Sequence, residues 1–187
     1  MLKLKEFFEL ITSLQIIIVS TMIPVYFVFP ERNNLLHIID ISINWQIPLI
    51  IFLTIIFSGR VVFKSFTIYI FLGLFVLPLF SDGGSLGYIL TPNFGYLLGV
   101  YPLIYYLKEL HSFEYISIKD FLRSGLIGIL LMHLIGILYL LFQLLLFNKI
   151  DLLIYNIAKF SLSKLLFHLL MLFPTLVFLK PFKKFRI

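Results

Sequence analysis

Ser161-Leu162-Ser163-Lys164 places a hydroxyl three residues before an ammonium. Read as the start of a helix, Ser161 is an N-cap and Lys164 falls in the first turn. The helix dipole disfavours a cation there by roughly 0.3–1 kcal/mol. Backbone N–H groups, dipole and ammonium nevertheless all face one point, which suits a small anion. The plainer use of the same lysine is to snorkel to a membrane interface.

A second cluster runs from Ser81 to Gly99, where five Gly and one Pro fall within nineteen residues. Glycine permits positive φ and close backbone approach. Pro92 removes a donor and biases Thr91 towards extended geometry. The segment is too apolar for a solvated loop and too broken for a spanning helix. Irregular backbone at membrane depth survives only inside protein or against a wet cavity, so a Gly-rich re-entrant loop lining a pocket is expected. It offers backbone groups at Gly84 together with Ser85, Tyr88, Asn93 and Tyr96. Gly95 and Gly99 also form a small-xxx-small pair able to bring two helices together.

Two further polar groups sit in apolar surroundings. His133, between Met132 and Leu134, is either a hydrogen-bonded interior residue or a cavity-lining one. No second His or carboxylate stands three or four residues after it, so no metal site is expected. Gln46 follows Trp45 at the start of an apolar run and needs a partner or a pocket. No cofactor is implied by any of these residues.

The elements that must position them are membrane spans. The chain has 187 residues, 61% hydrophobic and 13% charged, with a mean hydropathy of +1.08. Soluble domains carry about 45–50% apolar and roughly 25% charged residues. Apolar runs long enough for the hydrocarbon core, or nearly so, place spans at about 10–30, 46–58, 61–80, 96–107, 122–147 and 162–179. The fourth is short unless it borrows from the preceding loop. The expected fold is thus one all-α integral membrane domain of six transmembrane helices, residues 1–187. The first apolar run is too long for a signal peptide and has no cleavage site after it, so an uncleaved first span is expected.

Six spans put both termini on one side. Eleven of the fifteen Lys and Arg residues then fall on that side, and Arg32, Lys149, Lys159 and Lys164 on the other. The positive-inside rule places both termini in the cytoplasm, in a multi-pass inner-membrane protein. The net charge of +6 is accounted for by membrane anchoring, and no nucleic-acid partner is expected. Cys is absent, which excludes disulfides and thiolate metal sites. No Asp or Glu lies deep in a span, unlike proton-coupled pumps. Gln46, the Ser85–Tyr96 loop, Ser161 and Lys164 all come to the outer side. This convergence predicts an outward-facing pocket for a small anionic ligand.

At these residues the chain resembles the BioY family, the biotin-binding S components of energy-coupling-factor (ECF) transporters. Trp45-Gln46 is similar to that family's polar entry to its second helix, and Gly59 to its Gly between the second and third helices. The run Tyr69 to Phe80, Gly83-Gly84, Gly87-Tyr88-Ile89-Leu90 and Pro92 to Gly99 follow the family's order of motifs. Lys164 matches the lysine of the family's Asp-x-x-Lys pair, with Ser161 where the acid stands, and His133 falls where a Tyr is common. The resemblance implies an S-component-like fold and biotin as ligand. Lys164 would take the biotin carboxylate, the Ser85–Asn93 loop with Ser161 or Gln46 the ureido group, and Tyr88 and Tyr96 the ring system. It also implies a transmembrane T component and ABC-type ATPases as partners. The chain carries no G-x-x-x-x-G-K-[ST] phosphate loop, so ATP hydrolysis has to come from elsewhere. An S component for another vitamin, a non-catalytic membrane assembly subunit and a lipid-modifying membrane enzyme are the alternatives. The last needs a catalytic constellation for which only His133 is material, so no enzymatic role is expected.

Overall fold

The computed structural model describes residues 4–30, 36–81 and 83–186. Arg32, Lys3 (one of the eleven basic residues on the terminal side) and Asp82 (within the Gly-rich segment) lie outside them. The described chain forms six helical rods: α1 Leu4–Met22, α2 Gln46–Ile56, α3 Gly59–Phe75, α4 Pro92–Leu107, α5 Ile118–Leu146 and α6 Ile150–Leu179. Of these, α5 and α6 are each long and apolar enough to cross a bilayer unaided.

Two expectations are corrected. The first apolar run is not one helix to Pro30. It ends at Met22, and β1, Pro24–Pro30, pairs antiparallel with β2, Leu36–Asn44. Pro24 cannot donate into a helical ladder and disfavours helical geometry at Ile23. The residues after it, Val25-Tyr26-Phe27-Val28-Phe29, are strand formers. Nor does the last helix begin at Ser161. It begins at Ile150 and runs through Ser161, where the turn Ala158–Leu162 is π-helical. Asp151, Asn156 and Lys159 make the first part of α6 too polar to read as a span, yet all are compatible with a helix. Ser161 is therefore an interior residue, and the anion site built from a helix terminus at Ser161 does not exist.

The fourth helix does borrow from the preceding loop. It opens at Pro92, which occupies its first position, where a missing N–H costs nothing. Helices α4 and α5 approach closely because their contact faces carry glycine. A Cβ on Gly99 would lie 2.5 Å from the Met132 carbonyl oxygen, and one on Gly128 would lie 2.7 Å from a Leu103 methyl. On α5 Gly125, Gly128, His133, Gly136 and Gln143 face inward together with Phe121, Ile129, Met132, Leu140 and Leu144. Leu126, Leu130, Leu134 and Leu138, spaced four apart, face out. A helix that keeps its glycines and polar side chains on the packed face while an unbroken row of leucines points outward is suited to lipid surroundings.

One end of the bundle holds the α2–α3 turn, the α4–α5 connection and the C-terminus. Gly59 packs on Lys108. The Lys183 ammonium donates to the carbonyls of His111 (2.7 Å) and Phe113 (3.2 Å). Strand β3, Tyr115–Ser117, pairs in parallel with β4, Lys184–Arg186. The opposite end gathers the C-terminus of α1, the base of the β1–β2 hairpin, the N-terminus of α2 and the Gly-rich segment. There Val25 and Ile43 pack on Phe167 of α6.

Candidate functional site

A cavity of about 980 Å³ lies at that second end. Its wall is assembled from every helix but α3, with the loop that leaves α3. Thr21 and Met22 come from α1, Asn44 from the hairpin and Gln46 from α2. Pro78 to Ser81 come from the loop that leaves α3, and Tyr88 from the Gly-rich segment. Asn93, Tyr96 and Val100 come from α4, Met132 and His133 from α5, and Lys159, Phe160, Ser163, Lys164 and His168 from α6. None of the described lining residues is acidic.

The entrance to α2 shows how local chemistry places a functional side chain. The Gln46 backbone N–H donates to the Asn44 side-chain oxygen (3.2 Å), and Asn44 Nδ2 donates to the Thr21 carbonyl (3.4 Å). The Thr21 hydroxyl meets the carbonyls of Ile18 and Leu79 at 2.7 and 3.1 Å. These bonds tie α1, the hairpin, α2 and the post-α3 loop at one point. They fix Gln46 in the wall, 6% exposed and beside Tyr69. Its Nε2, facing Tyr69, and the Tyr96 hydroxyl, facing Ser161, are both buried without a well-formed protein hydrogen bond. Burying an unsatisfied donor costs about 1–3 kcal/mol.

The Gly-rich segment divides into shaping and lining residues. Gly84 is needed for close backbone approach: a Cβ there would lie 2.6 Å from both the Gly73 carbonyl oxygen and the Pro78 Cα. Ser85 is exposed, holds φ at 145° and accepts a bond from the Gly87 N–H (3.2 Å). That bond starts the 3-10 turn Leu86–Leu90. The turn delivers Tyr88 into the cavity, stacked on Phe80 at 4.3 Å between ring centres. Tyr139 and Gln143 of α5 both donate to the Ile89 carbonyl and hold the turn against the bundle. Gly84 and Ser85, expected to touch ligand, therefore shape the loop and do not line the cavity.

Ser161 is likewise corrected. It is 2% exposed and does not line the cavity. Its hydroxyl oxygen lies 2.8 Å from His133 Nδ1, and His133 Nε2 lies 3.1 Å from His168 Nδ1. The result is a buried Ser161–His133–His168 relay joining α5 to α6, with Tyr96 edge-on to the His133 ring. Both ring nitrogens of His133 are committed, so a proton placed on one side of the relay fixes the tautomer of the other. Among the described residues no cluster of three metal-ligating side chains exists.

The BioY family model matches residues 5–180. The chain belongs to the BioY family. A "probable biotin transporter BioY" from Lysinibacillus sphaericus is 33% identical over 98 residues, which span 51% of this chain and 49% of that relative. The chain thus aligns with about half the length of this curated relative. The structure is also similar to a crystal structure of the S component for biotin from an ECF-type ABC transporter. The TM-score is 0.60 at 18% identity, covering 94% of this chain and 91% of that one. The family assignment establishes a membrane protein, and the structural likeness establishes the S-component fold.

Of the nine family-guided site residues, Gln46, Tyr88, Asn93, Tyr96, His133 and Lys164 converge on the cavity. His168, Lys159, Asn44 and Thr21 were not anticipated. His168 had a signal: it follows Lys164 by four residues, on the same helical face. The relay predicts a non-additive pair. His133→Leu should destabilise the protein by about 1–3 kcal/mol, because it strands two buried polar partners. Adding His168→Leu should restore part of that loss. Unfolding midpoints in detergent measure both; additive losses in the double variant would show that the two rings do not act as a unit.

Proposed function

We propose that this chain is the ligand-capturing S component of an ECF-type importer and that its ligand is biotin. The observation that carries the reading is the cavity at the hairpin end of the bundle. It brings Gln46 of α2, Asn93 and Tyr96 of α4 and Lys164 of α6 together from three separate stretches of a BioY-family chain. Its volume falls within the small-molecule range of roughly 300–1,000 Å³, and it combines aromatic walls with a few polar groups. In this reading Lys164 takes the carboxylate, Asn93 and Gln46 meet the ureido ring, and Tyr88 and Tyr96 cover the bicyclic body. Lys164 does so as a cavity residue inside α6, without help from a helix terminus. The protein's role is capture and passage, not bond making. Energy is supplied by a T component and ABC-type ATPases.

The same reading orients the molecule. Arg60, Lys64, Lys108, Lys119, Arg123, Lys180 and Lys183 belong to the end remote from the cavity. The positive-inside rule makes that end cytoplasmic, with both termini, and turns the cavity outward. Calorimetric titration of the purified protein tests the ligand. Saturable binding at micromolar biotin or below is expected; absence of heat over that range would overturn biotin. One observation favours a sister vitamin instead: a hydroxyl, Ser161, at the position of the family acid. Titration of other carboxylate vitamins in the same buffer decides between them.

A further inference from the structure

From sequence, Lys159 counts only as an outer-side charge. In the structure it lines the same cavity as Lys164. Five residues separate the two. At 3.6 residues per turn, that spacing puts side chains on different faces of an α-helix. Lys159, however, lies within the π-helical turn Ala158–Leu162, and a wider turn with i→i+5 bonds brings residues five apart back towards one face. The chain stabilises this turn itself. The Ser163 N–H donates to the Ala158 carbonyl, five residues back, and the Ser163 hydroxyl donates to the Lys159 carbonyl at 2.7 Å. Phe160 records the outcome: its ring centre is 5.3 Å from the Lys159 ammonium and 5.7 Å from that of Lys164. Both distances are within cation–π reach, so two ammonium groups share one ring as neighbour at a cavity whose described lining contains no acid.

We propose that Lys159 and Lys164 form a two-ammonium clamp for the ligand carboxylate, aligned by the π-turn, and that Lys159 sets the preference for an acid over a neutral analogue. This rests on the biotin reading and extends it to a residue and a turn. Lys164 is half-buried and Lys159 exposed, so Lys159 is the outer jaw and the more strongly screened by salt.

The test is the ratio of biotin to biotinamide affinity in the full-length protein. Lys159→Met keeps the apolar stem and removes the charge. It should weaken biotin by roughly three- to fivefold, the scale of an exposed ion pair, and leave biotinamide unchanged. The loss should shrink as salt is raised, and Lys159→Arg should recover the wild-type ratio. Lys180→Met, an exposed lysine beyond the far end of α6, should change neither ligand. Ser163→Ala keeps both charges but loosens the π-turn, and should also lower the ratio. If wild type binds biotin and Lys159→Met leaves the ratio unchanged, the clamp is overturned and the biotin reading stands. Wild type that binds no biotin overturns both. A lowered ratio in Lys159→Met with none in Ser163→Ala removes the π-turn from the proposal.

Discussion

Lys164→Met is expected to lower biotin affinity by about ten- to a hundredfold, the span set by a charge-assisted hydrogen bond of roughly 1.5–3 kcal/mol. The size follows from position. Lys164 is half-buried on the α6 face that also presents Phe160 four residues before it and His168 four residues after. Its charge acts inside a walled cavity, where solvent and salt screen it less than at the exposed Lys159. Methionine retains an unbranched apolar stem of similar length, so the loss reports charge and not packing. Biotinamide, which lacks the carboxylate, should lose little. Comparable losses for acid and amide would instead place Lys164 on the ureido group, and the ligand would have to lie the other way round in the cavity. Raising ionic strength separates the two lysines: the contribution of Lys159 should fade while that of Lys164 persists.

The reach and the limit of the sequence are visible in α6. Composition and hydropathy identify a terminal span around Leu162–Leu179, and Lys164 stands out as a cation at its edge. The N-cap inference at Ser161 failed because a serine beside an apolar run has two local uses. It can cap a helix, or it can sit inside one and bond sideways. Which applies depends on whether helix precedes it, and Asp151, Asn156 and Lys159 disguise that helix as a loop. The His133–His168 bond was out of reach for a different reason. Periodicity reports which face of a helix is apolar, whereas this contact depends on how α5 is rotated against α6. That rotation is set by packing such as Gly125 against Leu172. The β1–β2 hairpin was hidden because Val, Tyr and Phe satisfy hydropathy equally well as strand or span; Pro24 was the available signal. By contrast, Gln46, Asn93 and Tyr96 were legible because polar residues at the start of apolar runs mark one end of a bundle wherever the exact boundaries fall.

Gly99→Ala is expected to destabilise the protein by about 1–3 kcal/mol, the usual scale of overpacking a tight interior, and to impair ligand binding with it. The new Cβ would stand 2.5 Å from the Met132 carbonyl oxygen and 2.7 Å from its Cα. Those are backbone atoms, so no side-chain rotation relieves the clash and α4 must move away from α5. The displacement reaches the site directly. Met132 and His133 line the cavity from α5, and Tyr96, one turn before Gly99, packs its ring on Gly136. Separating the helices therefore loosens Tyr96 and the His133 relay together. Gly87→Ala is the matched control: its Cβ would meet only the Ser85 hydroxyl oxygen, at an ordinary 3.4 Å, and its effect should be small. Unfolding midpoints in detergent and biotin titrations of both variants check the pair. If Gly99→Ala proved as stable and as tight-binding as Gly87→Ala, α4 and α5 could not be held by backbone contact at Gly99, and the cavity would have to owe its shape to the loops alone.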